Sequence, residues 1–304
     1  MKAFLKSIAK RALFGDRVAT NFPAVRIAIG TMEEKVFLSW NEDRLDISER
    51  HCIVCHAPFC LIVWLTAEES KRVQTNLMMI SVVTGAKIHS EITASVIKKI
   101  EIENGVLFVV RAEQASCYQK SALFQRLMRR YFRHKNTPQE DKFYAAAYSY
   151  PRRVIAVSFQ EASYYNIFPM DFQCSIAGTD LYVLGLRTTN VTLEKIIQSK
   201  RVVIGDTARA DLEVIYALGR NHSASPPPQD SLPFEVLKSE RFGFPVPVFS
   251  SSYKEIDLIA HHNLGTHTML IGRIANARSL WAAESYLYHI HFLQSFVTHH
   301  DAAP

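Results

Sequence analysis

A chain of 304 residues, 48% hydrophobic and 21% charged, has the material for a full buried core. That balance excludes a disordered or fibrous protein, and the length allows two domains of ordinary size. A formal charge of +6, spread over so long a chain, favours anionic ligands mildly and falls short of a nucleic-acid-binding signature.

Residues Met1 to Arg17 place Phe4, Leu5, Ile8, Ala12 and Leu13 at helical spacing with Lys2, Lys6, Lys10 and Arg11 among them. The charges interrupt any signal-peptide core, so a short amphipathic helix is expected there. From Phe22 to Arg111 the pattern predicts strands, at Val25–Ile29, Val36–Trp40, Cys60–Leu65 and Gly105–Val110, with a helix over Glu68–Ile80. The run Ile53–Leu65 contains His56 and Pro58 and is too short to span a bilayer. Lys120 to Lys135 is the clearest helix, with Leu123, Phe124, Leu127, Met128, Tyr131 and Phe132 on one face and four arginines on the other. The polar stretch Asn136–Asp141 contains Pro138 and marks a boundary between domains 1–140 and 141–304.

Beyond it, Val154–Phe159 predicts a strand, Glu161–Asn166 a turn, Leu181–Leu186 a strand, and Thr192–Ser199 a short helix capped by Thr192. Val202–Ile204 follows as a strand, and Asn221–Pro233 as an exposed loop around Pro226-Pro227-Pro228. Ile256–His262 and Thr268–Ile274 are strands joined through Gly265, and Trp281–Thr298 looks helical. Many short strands with few helices indicate a mainly β chain with helical additions (α+β), arranged as a barrel or sandwich.

Three motifs occur in order. Tyr165-Asn166-Ile167-Phe168-Pro169-Met170-Asp171 follows the strand after Pro151; Gly185-Leu186-Arg187-Thr188-Thr189-Asn190-Val191-Thr192 leads into the short helix; and Gly265-Thr266-His267-Thr268 ends at Gly272. In order and spacing these resemble the flavin reductase family of FMN-binding split barrels, over about Tyr148 to Ala277. The resemblance implies a split β-barrel in the C-terminal half, FMN rather than FAD as cofactor, and NAD(P)H as reductant. It places Arg187, Thr188, Thr189, Asn190 and Thr192 at the flavin phosphate. Asn166, Phe168 and Asp171 fall along the ring, and His267 falls near the nicotinamide. The residue types suit those tasks, since a phosphate wants hydroxyls, backbone N–H groups and a cation, while Asn offers donors and an acceptor to a ring edge. Read without the resemblance, the same residues make an ordinary capped helix and a turn.

The first 140 residues depart from a minimal flavin reductase. Trp64-Leu65 and the helix after it echo Gly185-Leu186 and its helix, without a counterpart to Arg187–Asn190. This suggests a degenerate second split barrel that lacks its own flavin, making the chain either a pseudo-dimeric monomer or a homodimer. The implied activity is that of an NAD(P)H-dependent flavin oxidoreductase. The alternatives are an FMN-binding electron carrier without its own reductase activity, and a barrel that has lost its ligand and serves in interactions.

His51-Cys52-Ile53-Val54-Cys55-His56 tempts a zinc reading, but no second ligand pair follows, so no metal is expected. The five cysteines, Cys52, Cys55, Cys60, Cys117 and Cys174, are an odd number and argue for reduced thiols and a cytoplasmic protein. The basic helix is read as a solvated face rather than a nucleic-acid or membrane contact. No P-loop, Gly-x-Gly-x-x-Gly fingerprint or Gly-x-Ser-x-Gly elbow occurs.

Overall fold

Apolar residues in the central strands alternate between two buried faces, and this places two barrels back to back. The structure, a computed structural model, describes residues 24–102, 104–118, 121–131 and 137–291. The first half comprises β1 (Ala24–Ala28), β2 (Lys35–Trp40), β3 (Asp43–Asp46), β4 (His51–Cys55), β5 (Cys60–Thr66), α1 (Ala67–Arg72), β6 (Leu77–Thr84), β7 (Lys87–Ile102) and β8 (Gly105–Cys117). Helices α2 (Ala122–Tyr131) and α3 (Pro138–Ala147) connect it to the second half. There follow β9 (Arg152–Arg153), β10 (Ile155–Glu161), β11 (Tyr164–Met170), β12 (Gln173–Ser175), β13 (Leu181–Arg187), α4 (Leu193–Ser199) and β14 (Arg201–Gly205). Helix α5 (Leu212–Leu218), the short strands β15 (Val236–Lys238) and β16 (Pro245–Pro247), then β17 (Ser252–Asn263), β18 (His267–Ser279) and β19 (Ser285–His289) complete the chain as described.

The two seven-stranded sheets have one topology. The first runs β3-β2-β6-β7-β8-β5-β4 and the second β11-β10-β14-β17-β18-β13-β12, every pairing antiparallel. In each half a hairpin, a short strand, a central strand and a helix precede the remaining three strands. The N-terminal half is therefore a second split barrel, as the sequence suggested. The repeat holds to the residue: Trp64 N–H donates to the Arg50 carbonyl at 2.8 Å, and Gly185 N–H to the Phe172 carbonyl at 2.8 Å. Thr66 pairs with Gly105 where Arg187 pairs with His267.

Period-two alternation explains both the interiors and the junction. Leu61, Val63 and Leu65 of β5 and Tyr182, Leu184 and Leu186 of β13 join the large core inside the barrels. Their neighbours Cys60, Ile62 and Trp64, with Leu181 and Val183, form a separate layer where the halves meet. A strand buried on both faces reads as a continuous apolar run, which is how Cys60–Leu65 stands in the sequence. Gly185 belongs to this junction: a Cβ there would lie 2.6 Å from the Val54 carbonyl oxygen and 2.8 Å from its Cα, so a side chain would force the halves apart.

Several expectations change. The helix over Glu68–Ile80 stops at Arg72, and Leu77–Thr84 is strand β6, because Met78, Ile80 and Val82 are buried with period two. The boundary stretch does not stay irregular: Thr137 caps α3 with Glu140 in a reciprocal capping box and Pro138 opens its first turn. The turn expected over Glu161–Asn166 is confined to Ala162–Ser163, and Asn166–Met170 lies on β11. Pro169 is tolerated there because β11 is the edge strand. The stretch Asn221–Pro233 is not all irregular: the 3₁₀ turn Gly219–His222 runs into its start, a second, Gln229–Ser231, lies within it, and Asn221 is buried. In Trp281–Thr298, Ser285–His289 is a strand pairing with β1 and β9, and positions from 292 lie outside the described residues. The helix expected over Met1–Arg17 lies outside them as well, as do both ends of the helix expected over Lys120–Lys135. No helix among the described residues is long and apolar enough to cross a membrane.

Candidate functional site

A cavity of about 360 Å³ lies beside the C-terminal end of β13, between that strand, the start of β18 and a cover made by α5 and the Gly219–His222 turn. Of the residues singled out in the sequence, Asp171, Arg187, Thr189 and His267 line it. Arg187 is the sole lysine or arginine on its wall and makes no ion pair with any described residue. Asp171 is committed elsewhere: its Oδ2 accepts from the Tyr148 hydroxyl at 2.5 Å and pairs with His289 Nδ1 at 3.0 Å. Burial works to raise its pKa, but the His289 and Tyr148 hydrogen bonds outweigh it and hold the carboxyl below the usual carboxylate range.

His267 is buried at the first position of β18. Its Nδ1 lies 3.0 Å from Thr266 Oγ1 and 3.3 Å from the His56 N–H, and its ring centroid is 5.2 Å from that of Phe172. Burial, followed by the nearby Arg187 guanidinium, pushes its pKa down to about 3, so the ring is neutral at neutral pH. His222 is lowered too, mainly by burial, although its hydrogen bond to the Pro169 carbonyl opposes the shift.

The remaining sequence candidates stand behind the cavity or at its edge. Asn166 is fully buried and donates from Nδ2 to Thr192 Oγ1 at 2.7 Å and to the Asn221 carbonyl at 2.9 Å. Asn190 Oδ1 accepts from the Thr192 N–H at 2.8 Å, and its Nδ2 lies 2.9 Å from His222 Nδ1. The expected cap by the Thr192 side chain does not form; its hydroxyl is used by Asn166 and by Tyr164, 2.9 Å away. Phe168 is a core residue packed on the His222 ring at 4.8 Å. Thr188 is exposed, and its N–H donates to the Thr266 carbonyl at 3.0 Å, tying the loop to the β17–β18 turn. Thus Asn166, Asn190 and Thr192 form one buried network that fixes loop 188–192 against β11, with Arg187 and Thr189 at its open side.

Sequence reasoning missed Tyr144, Tyr148, His222 and His289, all on the cavity wall. Tyr144 and Tyr148 stand four apart at the end of α3, a helical spacing that was legible in the sequence. His222 and His289 fell in segments expected to be loop and helix, so nothing local marked them.

The other barrel differs at the equivalent positions. Where Arg187 pairs with His267 two residues beyond Gly185 in the second half, Thr66 pairs with Gly105 two residues beyond Trp64 in the first, and the indole lies against Gly105. Thr66 replaces Arg187, and α1 begins at the next residue, so the loop 188–192 has no counterpart. The α1 N-terminus is closed by its own capping box, with Glu69 paired to Arg50 at 3.0 Å. A carboxylate of the chain thus occupies the N-terminal end of α1. Among the described residues no group of three metal-ligating side chains occurs.

No family model matches this chain, and no curated protein does. Solved structures do show similarity. An FMN-binding protein from Thermus thermophilus is 18% identical over 43% of this chain and 73% of its own, with a TM-score of 0.38. An NADH:FAD oxidoreductase from Streptomyces globisporus is 16% identical over 46% of this chain and 82% of its own, TM-score 0.41. Nitrilotriacetate monooxygenase component B from Mycobacterium thermoresistibile is 14% identical over 55% of this chain and 84% of its own, TM-score 0.41. These are proteins of the kind named by the sequence resemblance. At such TM-scores the likeness carries no argument for a ligand or an activity of this chain.

Proposed function

We propose that the chain is a flavin oxidoreductase that holds FMN in the cavity beside β13, one per chain, and accepts reducing equivalents from NAD(P)H. The observation that carries this reading is Arg187, a cation without an ion-pair partner among the described residues, at a cavity lined by tyrosines, Phe172 and histidines whose one carboxylate, Asp171, is held by Tyr148 and His289. The residues fit the group. Arg187 with Thr188 and Thr189 suits a phosphate, and a charge-assisted contact of this kind contributes about 1.5–3 kcal/mol. Tyr144, Tyr148 and Phe172 offer ring surface with hydroxyls at its edge. A volume of about 360 Å³ lies at the low end of the ~300–1,000 Å³ typical of cofactor sites, which favours the mononucleotide over FAD.

A bound flavin supplies hydride and electron transfer, for which the protein furnishes position rather than an acid or base. In this reading His267 is a neutral, buried edge to the site. Asn166, Asn190 and Thr192 hold the phosphate loop in place from behind, Phe168 anchors β11 beneath it, and Asp171 orients Tyr148 and His289. The division near residue 140 then has a use: the β4–β5 hairpin of the first barrel buttresses the second, with Ala57 N–H donating to Thr266 Oγ1 at 2.9 Å. A neighbouring barrel is thereby supplied within one chain.

The visible spectrum of the purified protein, before and after FMN addition and desalting, tests the reading. Retention of a shifted flavin band that bleaches on adding NADH or NADPH is the expected result. Arg187→Ala should weaken FMN binding about tenfold. A protein that stays colourless overturns the reading, and unchanged affinity in the variant removes Arg187 from the phosphate site.

A further inference from the structure

A second cavity, of about 410 Å³, opens at the other mouth of the C-terminal barrel, with Asp171 in the wall between the two. Its cations are Arg152, Arg153 and Lys254. Arg152 is 5% exposed, donates from Nε and Nη2 to the Ala147 carbonyl at 3.3 and 3.0 Å, and has Nη1 3.0 Å from His51 Nε2. His51 Nδ1 lies 2.8 Å from the Ile47 carbonyl, so the imidazole is a neutral acceptor toward Arg152 and brings no negative charge. Lys254 Nζ donates to Ser175 Oγ at 2.8 Å and meets no carboxylate among the described residues. Arg153 lies over the Tyr286 ring at 3.5 Å, has its Nε buried without an acceptor, and comes only within 3.9 Å of Asp206.

The carboxylates on this wall are spent. Asp206 accepts from the Ser251 N–H and hydroxyl, the Ser252 hydroxyl and the Ala208 N–H, at 2.6 to 3.1 Å. Asp171 is held by Tyr148 and His289, and Glu49 is exposed at the rim. Three cations therefore face the cavity against two inner carboxylates already committed to other donors. Arg152 is buried and Arg153 and Lys254 are half-buried, and a charge drawn out of water is normally paired, because desolvation without a partner is costly. The volume exceeds what an inorganic ion fills, and Tyr150, Tyr182 and Tyr288 wall the rest with rings.

We propose that this cavity is a second ligand site, taking a small organic oxyanion, a carboxylate or phosphate carried on a planar ring, with Arg153 and Lys254 as its direct partners and Arg152 behind them. The site is independent of the flavin reading. Titration calorimetry of the full chain with benzoate, phenyl phosphate and inorganic phosphate tests it. At least one ring-bearing probe should bind more tightly than inorganic phosphate. Lys254→Met should weaken it about tenfold, as should Arg153→Gln, while Lys254→Arg retains it. Arg187→Ala, in the other cavity, should leave it unchanged. The proposal is overturned if neither ring-bearing probe binds, if inorganic phosphate binds as tightly, or if the charge-removing variants have no effect. Loss of binding in Arg187→Ala overturns it too, since that would put the anion in the first cavity.

Discussion

Trp64→Ala is expected to lower the unfolding free energy by about 3–5 kcal/mol, the usual effect of emptying a fully packed aromatic site. The indole is 2% exposed and sits in the layer between the barrels. Ile62, Leu107 and Val109 come from its own half and Ile176, Val183 and Met269 from the other. The gap cannot close easily, because β5 is paired on both sides, to β4 and to β8. Urea unfolding should show a lower midpoint with an unchanged slope. A loss below about 1 kcal/mol, well under the range for such truncations, would mean that the ring does not fill this junction. The second half supplies a control, since it meets the same geometry with a glycine on β13 and a ring on β18. The double variant Trp64→Gly with Gly105→His copies that arrangement and should recover part of the loss, a coupling that a double-mutant cycle reads directly.

This exchange of bulk also explains what the sequence did and did not reveal. Strands were legible where alternation or β-branched runs were strong, as in Val36–Trp40 and Leu181–Leu186. Strand β6 was hidden because the Glu68–Lys71 segment has real helix character, and Met78, Ile80 and Val82 were absorbed into it. The duplicated topology left only a faint trace in the sequence. What the halves share is strand order and register, while the residues at matched positions differ: Trp64 against Gly185, Thr66 against Arg187, Gly105 against His267. Topology is fixed by apolar alternation, which many sequences satisfy, so equivalent positions are free to diverge.

The candidate site was legible where it is local. Arg187, Thr189 and His267 stand in motifs that sequence reading singled out, and they share a wall with Asp171. What stayed hidden is long-range. His289 reaches Asp171 across 118 positions of sequence, and His222 reaches the Pro169 carbonyl across 53. The second cavity is of the same kind, since its cations lie on β9 and β17, two strands that nothing in the sequence connects. Adjacent arginines such as Arg152 and Arg153 read as surface charge until the fold buries one of them.

His267 is expected to make the fold acid-labile well above the carboxylate range. Its folded pKa is pushed down to about 3, chiefly by burial, with Arg187 and His56 acting in the same direction and Asp171 opposing them. In the unfolded chain the imidazole titrates near its ordinary value of 6.5. Between those two values the unfolded state binds a proton that the native state refuses. Stability from this residue is therefore complete above pH 6.5 and falls as pH drops, by about 1.4 kcal/mol per pH unit. From pH 6.5 to 4.5 that amounts to about 3 kcal/mol from one side chain. His51, His56, His89 and His222 are lowered as well, each mainly by burial, and add to the same slope. Urea unfolding between pH 7.5 and 4.5 measures it, and His267→Gln should reduce the slope by one proton while leaving the rest. An unchanged slope would mean that the ring titrates freely and is not sealed beneath the β17–β18 turn. A ring that stays neutral also adds no charge to the cavity, whose charged side chains at neutral pH include the Arg187 guanidinium and the Asp171 carboxylate. Flavin affinity should accordingly be flat between about pH 7 and 9, a window in which neither the lowered His267 nor an arginine or a carboxylate titrates.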